Sequence, residues 1–365
     1  MNYKETLFFI AKCLTISLEE KNRDEIEKQL KSETIDWDVV VKVSTSHYIF
    51  PALYCNLKRT GFLQYLPQDL VSYMEHITNL NRGRNEQIIS QAKELNTLLL
   101  ANNITPIFLK GTGNLLAGIY QDIGERMVGD IDFIFSKEDY TKAIKVIIDN
   151  EYSAVPNLGY KRRHFRHFTR LQKKNNIAAV EIHSELLLNK YINEFNYNFV
   201  NKDVQLIEGF SVLSYSNKLN LSIISNQIND NGFFFRTIHL RNAYDVFLLS
   251  KKTNTKDAVN TLDKLTNPLN CFLSACHEIF NFVDSIEYNK TKKAAEYLRG
   301  FKIQLNNTNK IRRKHNRIKN YLFIKSKIID IYRNILYRDF RVWLFNTLTN
   351  KNWYKRKLVQ FGIKK

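Results

Sequence analysis

The run 130–135 is the feature that most constrains how this chain can fold. It alternates two aspartates, Asp130 and Asp132, with Ile131 and Phe133. Side chains at positions i and i+2 of a β-strand point to the same face. The run therefore predicts a strand that buries one face and presents two carboxylates on the other. Two neighbouring carboxylates buried without a partner would cost several kcal/mol, and a divalent cation removes that cost. The sequence thus predicts a metal site.

A second alternating run, 178–183, supplies a third acid. It places Glu181 and His183 on one face and Val180 and Ile182 on the other. If this strand neighbours the aspartate strand, three acids converge on one edge of a sheet. That set predicts a two-metal site, in which one metal holds a triphosphate and the other lowers the pKa of an attacking hydroxyl. Glu181 is then a candidate general base.

A glycine turn supplies the complementary anion site. The β-branched and aromatic run 104–109 predicts a strand, and it ends at Lys110, Gly111 and Thr112, immediately before a segment of helical periodicity. Backbone N–H groups and the dipole at a helix start favour an anion such as a phosphate. Lys110 adds a charge and Thr112 a hydroxyl donor. Arg126, four residues before the aspartate strand, is expected to neutralise phosphate charge in a transition state.

Together these motifs resemble the nucleotidyltransferase superfamily of DNA polymerase beta. More narrowly, they resemble a bacterial branch with a Leu-Lys-Gly, Arg, Asp-x-Asp and Glu-x-His pattern. Where the wider superfamily has Gly-Ser, this chain has Gly-Thr. The resemblance spans about residues 35–250 and does not include the C-terminal tail. The residues that carry it are Leu109-Lys110-Gly111-Thr112, Arg126, Asp130-Ile131-Asp132 and Glu181-Ile182-His183.

The resemblance implies an activity and a set of site residues. The activity is transfer of a nucleoside monophosphate from an NTP, with ATP expected, to an unidentified hydroxyl or phosphate acceptor. The expected cofactor is Mg²⁺, with Mn²⁺ as the alternative. The implied metal ligands and catalytic residues are Asp130, Asp132 and Glu181, with His183 behind them, and the implied nucleotide contacts are Lys110, Gly111, Thr112 and Arg126. Taken from the residues alone, His183 is expected to position Glu181 by a hydrogen bond.

Each motif taken alone also has a simpler interpretation. An isolated Asp-x-Asp can mark a strand end, and Arg126 can be a salt-bridge partner of a carboxylate. Arg241 and Asp245, on a later helix, are expected to form a structural pair. The run 161–170 interleaves basic and aromatic residues; it suits either a polyanion or an exposed basic strand edge.

The predicted fold class is α+β, with a small mixed β-sheet flanked by helical modules at both ends. Residues 1–100 are expected to form an N-terminal helical module and residues 101–215 the nucleotidyltransferase core. Residues 216–365 are expected to form a C-terminal helical module with a basic amphipathic tail. Within the core, residues 167–172 and 178–183 are expected to pair as a hairpin.

The net charge of +19 is concentrated near the C-terminus. Residues 299–365 contain 19 Lys and Arg against two Asp, whereas the rest of the chain is close to neutral. Within this part, residues 318–348 have the apolar periodicity of one or two amphipathic helices. Three interpretations are open: the apolar face packs into the core, or the segment binds an anionic membrane surface, or it binds nucleic acid.

Two further expectations concern location and function. Four scattered cysteines, no N-terminal signal pattern and no long apolar run predict a cytoplasmic protein, with an additional location at the inner face of the membrane if the tail binds lipid. The spacing of Cys271, Cys276 and His277 matches no common zinc site. The alternative to an enzyme is a non-catalytic protein with a vestigial acidic site, which binds nucleic acid or a membrane surface through residues 299–365.

Overall fold

The computed structural model describes residues 1–32, 35–155, 166–187, 191–306 and 308–336, with the further positions 338, 341, 342, 345 and 349. The chain begins with helices, as predicted. Asp36 caps one of them by accepting a hydrogen bond from the N–H of Val39 at 3.2 Å. The N-terminal helices are α1 (Tyr3–Cys13), α2 (Glu20–Ser32), α3 (Trp37–Ser46), α4 (Phe50–Arg59) and α5 (Gln68–Ala101).

The described residues also form a mixed sheet of seven strands, in the order β3-β4-β5-β2-β1-β7-β6. The pairs β2–β5 and β1–β7 are parallel, and the other neighbours are antiparallel. The predicted α+β fold class is confirmed. The strands are β1 (Ile107–Phe108), β2 (Asp130–Ile134), β3 (Ser153–Ala154), β4 (Leu171–Gln172), β5 (Ala179–His183), β6 (Gln205–Ile207) and β7 (Phe210–Val212).

The first strand is shorter than its sequence indicates. The apolar run 104–109 predicts six residues, but β1 contains two and begins immediately after Pro106. Proline has no N–H to donate to a strand ladder, which is a physical reason for the late start. The predicted hairpin does form between β4 and β5, and its turn contains Asn175 in a left-handed conformation (φ 70°) that asparagine tolerates.

Helices lie in the connections β1–β2, β2–β3 and β5–β6, and they form most of the described chain after β7. Ser136 caps α7 by accepting a hydrogen bond from the N–H of Asp139 at 3.1 Å, as its sequence predicts. The remaining helices are α6 (Lys110–Leu116), α7 (Lys137–Asp149), α8 (Tyr197–Val200), α9 (Tyr215–Ile224), α10 (Gly232–Phe235), α11 (Leu240–Ser250), α12 (Thr255–Asn260), α13 (Thr266–Ile279), α14 (Lys292–Leu305) and α15 (Thr308–Leu336).

The loop between α6 and β2 joins the sheet to helices from both ends of the chain. Asp122 accepts two hydrogen bonds from Arg82 of α5, at 3.0 and 2.7 Å. The buried carboxylate of Glu125 contacts Arg59 of α4 and accepts a 2.6 Å hydrogen bond from the hydroxyl of Tyr244 in α11. Because these contacts fix the loop, they also fix the start of β2, where the aspartate pair lies.

The basic C-terminal segment begins as a single helix, α15. From Asn316 to Leu336, eight of its large apolar side chains are more than half exposed and none that the structure describes is buried, so the interpretation in which they pack into the core is wrong for the described part. The contacts that the structure shows for α15 are with α10 and α14, and they include His315 in its early turns beside Phe235 and Gln304. No helix in the described ranges combines the length and the apolar character needed to cross a membrane. Residues 161–165 and 350–365 lie outside the described residues.

Candidate functional site

The site lies at one end of the sheet, where four neighbouring strands begin or end. The parallel strands β1 and β7 end there, and β2 and β5, also parallel to each other, begin there. The register of β2 and β5 places Asp132 directly opposite Glu181, with Asp130 opposite Ala179. The alternation of each strand then brings both aspartates, Glu181 and His183 to the same face of the sheet. The predicted convergence of the acids is therefore present.

Two basic side chains link these acids. Lys110 Nζ lies 2.6 Å from Asp132 Oδ1 and 3.6 Å from Glu181 Oε2. Arg170 bridges the other side: its Nη2 is 2.6 Å from Asp130 Oδ2, and its Nε is 2.6 Å from Glu181 Oε1. Three carboxylates and two cations are therefore joined by direct ion pairs at this face.

The hydrogen bond of His183 is with Asp132 and not with Glu181, so the hydrogen bond expected between His183 and Glu181 is wrong. His183 Nε2 is 2.8 Å from Asp132 Oδ1, whereas Glu181 Oε2 is 3.8 Å away. The ring is almost fully buried, and its Nδ1 has no hydrogen-bond partner among the described residues. An ionised Asp132 can only accept from Nε2, whereas the ammonium group of Lys110, 3.3 Å from the same atom, can only donate to it, so the two contacts require different tautomers.

The side chains of Asp132, Glu181 and His183 fit a divalent cation. One potential ligand atom from each of them lies within 4.8 Å of the others, and all three side chains are buried. The two carboxylates suit Mg²⁺ or Mn²⁺. Coordination through His183 Nε2 requires the tautomer with its ring hydrogen on Nδ1, the atom that has no hydrogen-bond partner in the described part of the chain. Asp130 is not part of this closest group, and its carboxylate pairs with Arg170.

Burial and neighbouring basic groups shift the pKa values of the two aspartates at this face in opposite directions. Burial alone would raise the pKa of Asp132, but Lys110 and His183 outweigh it and hold that pKa below its usual value. At the more exposed Asp130, burial dominates and the pKa is raised, although Arg170 opposes this. Burial lowers the pKa of His183, so its neutral form is favoured. At neutral pH, the face therefore presents an ionised Asp132 next to a neutral imidazole.

The predicted phosphate turn lies beside the acids, at the start of α6. No side chain caps this helix within the described structure, so the first N–H groups of the helix donate no hydrogen bond to a capping side chain. Lys110 has a left-handed backbone (φ 50°), which a non-glycine residue adopts at an energetic cost. A Cβ atom on Gly111 would lie 2.9 Å from Val128 Cγ2. Thr112 is fully buried, and its hydroxyl donates to the carbonyl oxygen of Asp130 at 2.8 Å.

Arg126 lies in a buried ion pair with Asp245 of α11. Its Nε and Nη2 donate to the two carboxylate oxygens at 3.0 and 2.9 Å, and its Nη1 donates to the carbonyl oxygen of Met127. Tyr120 donates a further 2.7 Å hydrogen bond to Asp245. The expected pair of Arg241 with Asp245 is therefore wrong, and the ion-pair partner of Asp245 in the structure is Arg126. A role for Arg126 at a phosphate stays a prediction.

Sequence reasoning did not assign Arg170 to the acidic face. Arg170 belongs to the basic run 161–170, whose position before the hairpin was the available signal. Because β4 lies beside β5, Arg170 next to β4 can reach Glu181. Arg166, from the same run, is within electrostatic reach of Glu181 and Asp132, and burial lowers its pKa. These two arginines add positive charge around the carboxylates.

Comparison with known proteins supports the same kind of site. A family model described as "Uncharacterised nucleotidyltransferase" matches residues 33–280, about two thirds of the chain. That range contains every site residue described above. No curated protein and no solved structure matched the chain.

Proposed function

The chain belongs to this family of uncharacterised nucleotidyltransferases, and from that premise we propose that it transfers a nucleoside monophosphate from an NTP to a hydroxyl or phosphate acceptor. Pyrophosphate is the other product, and ATP is the proposed nucleotide. The observation that carries the proposal is the register of β2 and β5, which sets Asp132 opposite Glu181 beside His183. These side chains meet at the end of the sheet where the turn 110–112 also lies.

The acidic face would hold a divalent cation, Mg²⁺ or Mn²⁺, through Asp132 and Glu181, with Asp130 and His183 as the candidates to complete the set. When bound, the cation would neutralise phosphate charge and lower the pKa of an attacking hydroxyl. Lys110 and Arg170 are the two cations that contact the same carboxylates. We propose that both side chains would contact phosphate oxygens when a metal-bound nucleotide is held by the carboxylates.

The proposed reaction forms one bond and breaks one. The acceptor oxygen attacks the α-phosphorus of the NTP, and the bond from that phosphorus to the oxygen of the leaving pyrophosphate breaks. Glu181 is the proposed base that takes the proton from an acceptor hydroxyl, since its carboxylate lies on the same face as Asp132. The N–H groups of residues 110–112 are proposed to orient the phosphates during transfer.

The test is transfer of label from [α-³²P]ATP and from the other NTPs in the presence of Mg²⁺, with candidate acceptors and with the protein itself. Asp132→Asn keeps the size of the side chain but removes its charge. We expect it to lower transfer by at least about 100-fold while circular dichroism remains unchanged. Asp24→Asn, an exposed acid on α2, is the matched control and should leave transfer unchanged.

Two outcomes would contradict this proposal. One is that Asp132→Asn transfers label as fast as the unsubstituted protein. The other is that no acceptor class receives label while the metal and nucleotide still bind. That second result would favour the alternative, a non-catalytic protein with a vestigial site.

A further inference from the structure

The helix α15 carries a broad apolar face that the described part of the protein leaves uncovered. From Asn316 to Leu336, no side chain that the structure describes is buried. Eight large apolar side chains of this stretch are between 51% and 67% exposed. They are Tyr321, Phe323, Ile324, Ile328, Ile331, Tyr332, Ile335 and Leu336.

All but one of these side chains lie on the same half of the helix. At 3.6 residues per turn, the positions from Ile331 round to Leu336 cover an arc of about 180° or less. Phe323 is the exception and lies on the opposite half. An exposed apolar surface of this size is uncommon unless it binds something. The half-cylinder shape also exceeds the narrow seam that a coiled coil buries.

The same helix is strongly basic. Within residues 308–336 there are nine Lys and Arg against a single Asp, and the remaining C-terminal residues add to the surplus. Lys319 and Lys327 are exposed and lie away from the apolar arc, whereas Lys325 lies within it. A lysine in such an arc can extend its ammonium group to a polar headgroup while its alkyl chain stays in apolar surroundings. The partner must therefore offer both negative charge and apolar contact.

We propose that the apolar face of α15 binds the surface of an anionic lipid bilayer, with the helix lying in the plane of the headgroups. Anionic headgroups complement the basic flanks, and the acyl boundary covers the isoleucines. A nucleic acid would neutralise the charge but leave the apolar arc in water. A second copy of α15 would cover the arc but bring two strongly positive helices together. Of these three occupants, the bilayer surface is the one that satisfies both properties of the helix.

The test is flotation of the full chain with phosphatidylcholine vesicles that contain or lack phosphatidylserine. We expect binding to the anionic vesicles that weakens with added salt. Two substitutions at equally exposed positions separate the faces, since Ile328 and Phe323 are each 61% exposed. Ile328→Glu, inside the arc, should lower vesicle binding by about tenfold or more, because it removes apolar burial and adds a repelled charge. Phe323→Glu should change binding by no more than about twofold to threefold.

Several results would overturn this proposal. They are an absence of vesicle binding, equal binding to neutral and anionic vesicles, and an equal effect of the two substitutions. Sedimentation without lipid provides another: a dimer that Ile328→Glu dissociates would assign the face to self-association. RNA binding in the absence of vesicle binding would assign the charge to nucleic acid. Asp132→Asn should leave vesicle binding unchanged, so this result is independent of nucleotide transfer.

Discussion

Arg126 and Asp245 show how strongly single residues of this protein depend on one another. The two side chains are 7% and 2% exposed, and they share two hydrogen bonds near 3 Å. A buried charge that loses its partner retains the full cost of its desolvation. Because 119 residues separate the two in sequence, no local pattern could have paired them. The sequence supplied the expectation that Arg126 acts near phosphate or pairs with a carboxylate, but it could not choose the partner.

Replacing Asp245 by Asn should lower the free energy of unfolding by about 3–5 kcal/mol, since Arg126 would remain buried without a counter-charge. The control is Lys142→Gln, which removes an exposed pair with Asp139 at 3.7 Å. That change should cost less than about 1 kcal/mol. Urea unfolding measures both. Equal costs for the two substitutions would show that the buried pair adds no more stability than a surface pair.

At the scale of elements, α6 is positioned by close packing against the strand that precedes it. Gly113 lies inside this helix, and a Cβ atom there would be 2.7 Å from the carbonyl oxygen of Phe108. The backbone of β1 therefore approaches α6 too closely for any side chain. The periodicity after the turn correctly predicts a helix, but a close approach between two elements cannot be read from one of them alone. The same limit explains why Arg170 was not assigned to the acids.

Replacing Gly113 by Ala should destabilise the protein by about 1–3 kcal/mol, although alanine is the better helix former. Gly83 is the matched control, because it lies within α5 and a Cβ atom there would meet nothing within 4 Å. Gly83→Ala should stabilise by about 0.5–1 kcal/mol. In thermal unfolding, we expect Gly113→Ala to lower the melting temperature and Gly83→Ala to raise it. If both substitutions stabilise, the close contact between α6 and β1 is not maintained in solution.

At the scale of the whole molecule, the site depends on which strands are neighbours. The sequence predicts the acidic faces of β2 and β5 from alternation alone, and both faces are confirmed by the register. It does not determine that these strands are adjacent and parallel, because α7, β3 and β4 lie between them in the chain. The loop that contains Asp122 and Glu125 likewise collects partners from α4, α5 and α11. The site is thus a product of the complete fold.

The central claim is that Asp132, with Glu181 and His183, holds a divalent cation that carries the nucleotide. Calorimetric titration of ATP into the full chain, with Mg²⁺ and then with EDTA, tests it most directly. We expect binding in Mg²⁺ that EDTA abolishes, a loss of about tenfold or more in affinity for Asp132→Asn, and unchanged binding for the exposed control Asp24→Asn. ATP binding that is the same in EDTA, or the same for Asp132→Asn, would contradict the claim.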